Sequence, residues 1–222
     1  MEIRTGFHKR LREIQDDVLV MGSMATKAIQ RSIEALKTRD LDLARQIIAD
    51  DQLINHKRFG IEEKCIEIIA TQQPMASDLR IILAVLNIII EVERIGDYAE
   101  GIAKITIMIG DEPPLKPLID IPRMAEQTVH MLRGSLDAFV SRDAEAAKKI
   151  SAEDDLVDDL YDQVFRELLT FMMEDPKTIT RATRLVWVAH NLERAADRAT
   201  NICERVVFVV TGKMQEMGVS KY

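Results

Sequence analysis

Hydrophobic residues recur every three or four positions along most of this 222-residue chain, which is the spacing of amphipathic α-helices. Aromatic residues make up only 5% of the chain, whereas Leu, Ile, Ala, Glu and Arg are abundant, a balance typical of long helices. We therefore predict an all-α fold. One apolar stripe contains an acid among its members, namely Ala44, Ile47, Asp51, Ile54, Ile61, Cys65 and Ile68.

Capping residues, glycines and prolines divide the chain into six predicted helices. Asp40 is expected to cap the second helix, and Gly110 is expected to end the third. The predicted bounds are about 6–36, 41–73, 77–109, 121–140, 143–173 and 178–210.

Most of these helices have about 30 residues and would reach ~45 Å, so we expect them to pack lengthwise and antiparallel. Three of the six prolines fall within residues 111–117, which favours a domain boundary there. The prediction is two tandem antiparallel three-helix bundles, the first at 1–112 and the second at 113–222.

A short repeat indicates that the two bundles arose by internal duplication. Residues 93–102 (ERIGDYAEGI) and 193–202 (ERAADRATNI) share five identities at one constant offset. Any chemistry that this motif performs is therefore expected twice.

Acids of the repeated motif continue the apolar stripe of their helix, since its three- and four-residue steps lead onto Glu93 and Asp97. A hairpin turn at 74–76 would bring Asp51 to the level of these two acids. In the second copy the turn lies near Pro176, and the side chains expected at one level are Asp154, Asp158, Glu193, Asp197 and Asn201.

Converging carboxylates repel one another unless protons, arginines or cations neutralise them, and clustered oxygen ligands suit iron, manganese, magnesium or zinc. One interpretation is therefore a metal site in each copy. The other is ordinary salt bridges on solvated helix faces, such as Glu93 with Arg94. The repetition and the position of the acids on the stripe favour metal sites.

A net charge of −7 provides no positive field for nucleic acid or for an anionic membrane surface. No segment is long and apolar enough to span a membrane, and no signal-peptide core follows the first basic residues. The two cysteines, Cys65 and Cys203, lack zinc-site spacing and fit a reducing compartment. We expect a cytoplasmic protein with no nucleic-acid binding and no membrane insertion, and its long exposed helices favour a homodimer.

Three motifs resemble those of the PhoU family and together cover nearly the whole chain. Residues 72–80 (QQPMASDLR) are similar to the family's QQPxAxDLR hairpin, and residues 91–97 (EVERIGD) to its (D/E)xERIGD helix. Residues 192–202 (LERAADRATNI) are similar to its LERxxDxxxNI pattern. Two departures are that Gly101 stands where the second copy has Asn201, and that the second hairpin, 174–184, does not repeat the first.

The resemblance implies two three-helix bundles, each with a multinuclear iron or zinc cluster. The motif acids would be Glu93 and Asp97 in the first copy and Glu193 and Asp197 in the second. It also implies a non-enzymatic negative regulator of the phosphate-starvation response and of phosphate uptake. Such a protein is an adaptor between the ATPase subunit of the phosphate ABC transporter and the phosphate-sensing histidine kinase.

Two other functions stay open at this point. A ferritin-like di-metal carboxylate protein, such as an oxidase, would also use clustered acids, but the chain lacks the Glu-x-x-His pairs of those sites. A metal-free helical scaffold would instead neutralise each acid with a salt bridge.

Overall fold

The computed structural model describes residues 2–217, with side chains described from Gly6 onward. Over this range the chain forms helices and no strand, which confirms the predicted all-α fold. The last residues of the predicted second bundle, 218–222, lie outside the described range. The helices are α1 (Glu2–Thr38), α2 (Leu41–Gln72), α3 (Ser77–Ile109), α4 (Asp120–Ser141), α5 (Ala144–Ser151), α6 (Asp154–Glu174) and α7 (Ile179–Thr211), with a 3₁₀ turn at Pro176–Thr178.

The helix ends follow the predicted capping signals. The Asp40 side chain accepts a hydrogen bond from the backbone N–H of Leu43 at 2.9 Å, as an N-cap does. Gly110 ends α3 with a φ of +63°, and Gly212 ends α7 with a φ of +73°. Because side chains strain this left-handed backbone, glycine is favoured at both positions.

The turn between the first two helices recurs in the second copy. Arg39 and Arg142 both end a helix with positive φ, +58° and +57°. Each is followed by an aspartate, Asp40 or Asp143, whose side chain caps the next helix. The duplication therefore extends to the backbone of this turn.

The fifth predicted helix, 143–173, is wrong as one continuous helix, because the structure breaks it into α5 and α6 around Ala152 and Glu153. The backbone N–H of Glu153 bonds to Ile150 only three residues earlier, which tightens the turn. The Glu153 carboxylate also accepts a hydrogen bond from Gln127 on α4 at 2.7 Å. This contact with α4 holds the tightened turn in place.

Four helices form the centre of the molecule. The helices α3 and α7 lie side by side and antiparallel, since Glu91 meets Asn201 and Gly101 meets Asn191. The helix α1 packs on α3, α4 packs on α7, and α1 also meets α4. On the outside, α2 covers α1 and α3, while α5 and α6 cover α4 and α7. The first three-helix unit is α1–α3, and in the second three-helix unit, α4–α7, the broken pair α5 and α6 takes the place of the middle helix. One continuous hydrophobic core passes through both units. No helix within residues 2–217 has the length and apolar character needed to cross a bilayer.

The proline-rich linker between the units is bound to the start of α7. Arg181 donates a hydrogen bond to the backbone oxygen of Pro113 at 3.2 Å. Glu112 lies 3.8 Å from Arg181 and 3.6 Å from Arg184, measured between charged atoms. The linker is therefore packed against the second unit over its first residues.

Candidate metal centres

The first acid cluster consists of Asp51 on α2 together with Glu93, Asp97 and Glu100 on α3. The hairpin brings Asp51 near the two motif acids, as the sequence predicted, and also near Glu100, since all three acids of α3 raise the pKa of Asp51. Asp51 Oδ2 accepts a hydrogen bond from Asn55 at 2.9 Å. Its other oxygen, Oδ1, is buried and has no hydrogen-bond partner.

The electrostatics of this cluster disfavour a full set of negative charges. Burial raises the pKa of Asp51 to about 6, with further contributions from Asp97, Glu100 and Glu93. Partial burial also raises the pKa values of Glu93 and of Asp97, which still reaches the surface, and neighbouring acids add to both shifts. A carboxylate in such surroundings gains stability from a proton or from a cation.

Arg58 on α2 supplies part of the missing positive charge. Its Nε lies 3.8 Å from Glu93 Oε1, and its guanidinium stacks 4.6 Å from the centre of the Phe59 ring. The same Nε is buried without a hydrogen-bond partner. The ion pair is therefore long, and it leaves the first acid cluster only partly neutralised.

The second acid cluster consists of Asp154 and Asp158 on α6 with Glu193 and Asp197 on α7. All three other acids raise the pKa of Asp154, which burial and these charges bring to about 7. Burial and the charge of Asp197 likewise raise the pKa of Glu193 to about 7. The duplication thus places one acid-rich site in each helical hairpin.

Basic side chains approach the second acid cluster without satisfying all of its oxygens. Arg194 donates a hydrogen bond to Asp197 Oδ2 at 2.6 Å. Glu193 Oε2 is buried and accepts no hydrogen bond, although His190 Nδ1 lies 3.5 Å away. Each acid cluster therefore contains one buried carboxylate oxygen without a donor.

His190 and Tyr161 border the second acid cluster, and the sequence did not single them out as site residues. Their rings lie 6.1 Å apart between centres. Burial, helped by Arg194, lowers the pKa of His190, which favours the neutral imidazole. The only sequence signal for His190 was its three-residue spacing from Glu193, and a single spacing of this kind is common on helices.

Asn201 lies at the contact between α3 and α7, where it bonds to a residue of the first unit. Its Nδ2 donates a hydrogen bond to Glu91 Oε2 at 3.1 Å, and Arg198 lies 3.4 Å from the same oxygen. The sequence predicted Asn201 at the level of Asp154 and Asp158 from the position of the hairpin turn near Pro176. The hydrogen bond shows that its amide group is directed towards the first three-helix unit.

The chemistry of both clusters fits a hard or borderline cation, although their present geometry is not a finished coordination shell. Within residues 6–217, no three His, Cys, Asp or Glu side chains stand close enough together to hold a metal ion as they are arranged. The donor set is nevertheless made of carboxylates, and two oxygens are buried without partners, Asp51 Oδ1 and Glu193 Oε2. Side-chain rotation at the acids would be needed to surround an ion.

Comparison with known proteins identifies the family. The family model described as "PhoU domain" matches this chain twice, at residues 18–106 and 121–206. The phosphate-specific transport system accessory protein PhoU homolog of Aquifex aeolicus is 40% identical over 206 residues, covering 93% of each chain. The phosphate-specific transport system accessory protein PhoU of Escherichia coli K12 is 36% identical, covering 93% of this chain and 86% of its own.

Two solved structures have the same fold. The crystal structure of PhoU from Pseudomonas aeruginosa matches with a TM-score of 0.88 and 35% identity, over 93% of this chain and all of that one. The phosphate transport system regulatory protein PhoU from Streptococcus pneumoniae matches with a TM-score of 0.89 and 29% identity, over 95% of this chain and all of that one. The motifs, the repeated helical unit and these relatives agree, and the chain belongs to the PhoU family.

Proposed function

We propose that this protein is a cytoplasmic negative regulator of the phosphate-starvation response and of phosphate uptake. It acts as a metal-binding adaptor between the ATPase subunit of the phosphate ABC transporter and the phosphate-sensing histidine kinase. Its relatives support the general role, since they are named accessory or regulatory proteins of phosphate transport systems. Their match extends over more than nine-tenths of this chain, so both repeated units are included.

The observation that carries the proposal is the pair of acid clusters at matched places in the two copies. Each would hold a multinuclear iron or zinc cluster, which would neutralise the crowded carboxylates and leave coordination positions for phosphate or for a partner's carboxylate. The residues that would bind the metal are Asp51, Glu93 and Asp97 in the first cluster and Asp154, Asp158, Glu193 and Asp197 in the second.

Exposed apolar side chains on both hairpins support an adaptor role. Phe59 and Ile90 lie exposed on the first hairpin, and Phe165 and Trp187 lie exposed on the second. Large apolar side chains in neighbouring exposed positions are typical of protein interfaces. We assign these surfaces to the transporter ATPase, to the kinase and to a second copy of the chain in a homodimer.

The proposal is tested first by metal analysis of purified, tag-free protein. We expect iron or zinc to accompany the wild type and to be lost from the variant Glu93→Ala, Asp97→Ala, Glu193→Ala, Asp197→Ala. A matched control is Glu63→Ala with Asp159→Ala, exposed acids on α2 and α6 outside both clusters, which should keep the metal. Equal metal content in all three proteins would reject the acids as ligands.

The regulatory role is tested in cells that lack their own copy of the protein. Wild type should repress a phosphate-starvation reporter in high phosphate and should co-purify with the transporter ATPase and the kinase. The variant without metal ligands should lose repression, whereas the Glu63→Ala, Asp159→Ala control should retain it. Repression by the metal-free variant would favour the alternative of a metal-free helical scaffold.

A ferritin-like di-metal oxidase is the enzymatic alternative. Such a site keeps its metals enclosed between helices, whereas Asp97 is exposed at the surface of this protein. Oxygen consumption by iron-loaded protein, abolished in the four-residue variant, would support this alternative. We propose no catalytic activity for the chain.

A further inference from the structure

A cleft of about 270 Å³ lies where the linker passes between the two three-helix units, away from both acid clusters. This volume is just below the range of about 300–1,000 Å³ for ligand pockets, so only a small ligand would fit, and the mainly apolar lining is typical of such sites. The first unit provides residues from α1 and α3, the second provides α7, and the linker closes one side. The apolar lining residues are Leu36, Ile109, Leu115, Leu118 and Leu185, together with Pro113, Pro114 and Pro117.

The rim of this linker cleft is positively charged. Four basic residues line it and only one acid does, so the lining carries a formal charge of 4 − 1 = +3. The whole chain, by contrast, has a net charge of −7. The charged lining residues are Lys37, Arg39, Lys116, Arg181 and Glu112.

Two of the four basic residues already have partners. Lys116 forms an ion pair with Glu167 on α6, and Arg181 pairs with Glu112 and bonds to the linker backbone. These contacts fix the wall of the cleft.

The other two basic residues have none. Lys37 and Arg39 are exposed at the end of α1, and neither side chain makes an ion pair or hydrogen bond to any residue that the structure describes. They remain available to an anion at the mouth of an apolar cavity.

We propose that the linker cleft binds a small amphipathic anion, with an acyl or aryl group against the leucines and an anionic head group at Lys37 and Arg39. The apolar group leaves water for the cavity, and the head group keeps its solvation through charge-assisted hydrogen bonds. Because both units and the linker line the cleft, one bound molecule contacts all three. This site goes beyond the proposed function, which rests on the acid clusters.

The test uses full-length protein labelled at its isoleucine and leucine methyl groups and titrated with decanoate below its critical micelle concentration. We expect saturable chemical-shift changes at Leu36, Ile109, Leu115 and Leu185. Decan-1-ol, which has an alkyl chain of ten carbons but no charge, should bind at least about tenfold more weakly than decanoate. Shifts that spread over the exposed apolar side chains instead, or equal binding of the alcohol, would overturn the proposal.

Charge-reversal variants locate the head group. Lys37→Glu with Arg39→Glu should weaken decanoate binding by at least about tenfold, because two exposed cations become anions. The matched control is Arg142→Glu, which occupies the same left-handed turn in the second copy but does not line the cleft. Loss of binding in the control, or unchanged binding in the double variant, would overturn the assignment.

Discussion

Asn201 on α7 donates a hydrogen bond to Glu91 on α3, with 3.1 Å between Nδ2 and Oε2. The duplication relates these residues to Gly101 and Asn191, and those two also meet, since a Cβ on Gly101 would lie 2.9 Å from Asn191 Oδ1. The same contact between α3 and α7 therefore occurs twice. In one copy the Asn201 amide bonds to the Glu91 carboxylate. In the other the Asn191 amide packs against Gly101, where a side chain such as asparagine would come too close.

Asn201→Ala should therefore lower the stability of the protein and leave its metal content unchanged. The variant leaves the partly buried Glu91 carboxylate with Arg198 alone, and a lost hydrogen bond to a charged group costs about 1–2 kcal/mol. Urea unfolding measures the change. Asn191→Ala is the control, because that amide donates only to the backbone of its own helix at Trp187. Metal loss without destabilisation would instead assign Asn201 to the second acid cluster.

Gly22 and Gly60 offer a matched pair for testing the contact between α1 and α4. A Cβ on Gly22 would lie 2.1 Å from Cδ1 of the buried Leu136, so Gly22→Ala should destabilise the protein by about 1–3 kcal/mol. Gly60 has nothing within 4 Å of an added Cβ, and Gly60→Ala should stabilise by up to about 1 kcal/mol because alanine favours helices. Equal unfolding free energies for the two variants would contradict this packing.

Local signals in the sequence predicted the helices well, because each cap depends on a few neighbouring residues. Asp40 and Gly110 mark their helix ends as expected. The break before α6 could not be predicted in this way, since no proline or glycine marks it. At the break Glu153 bonds to Gln127, a residue far away in the chain, and local signals do not contain such a contact.

The sequence predicted which acids would lie near one another, but it did not predict the direction of each side chain. Hairpin geometry needs only the position of the turn, and it brought Asp51 near Glu93. The direction of Asn201 depends on how the two units pack against each other, which single-helix periodicity does not contain. The same limit applies to the shared core and to the linker cleft, since both form only when the units meet.

The metal-free protein should become more stable as the pH falls from about 8 towards about 5. Asp154 and Glu193 have folded-state pKa values of about 7, above their ordinary values of 3.8 and 4.5. Between the ordinary and the raised pKa values the folded state binds more protons than the unfolded state, so stability decreases as the pH rises through this window. Asp51, with a pKa of about 6, contributes in the same direction.

Thermal unfolding of chelator-treated protein across this pH range measures the effect. Glu193→Gln should raise the unfolding temperature at pH 8 and flatten the pH profile, because the neutral amide removes a crowded charge. The control Glu63→Gln changes an exposed acid outside the clusters and should leave the profile unchanged. Greater stability of the metal-free wild type at pH 8 than at pH 6 would contradict the raised pKa values.

The two acid clusters should bind metal independently, and isosteric variants separate them. Glu93→Gln with Asp97→Asn should remove only the metal of the first cluster, and Glu193→Gln with Asp197→Asn only that of the second. Both variants replace repelling carboxylates with neutral amides of similar shape, so we expect them to fold. Metal that binds only the folded state stabilises it by about 2.7 kcal/mol for each site at a free concentration of 100 times Kd. Calorimetric titration with zinc should accordingly give half the wild-type stoichiometry for each double variant. Loss of all binding in either variant would show instead that the ions are shared between the two units.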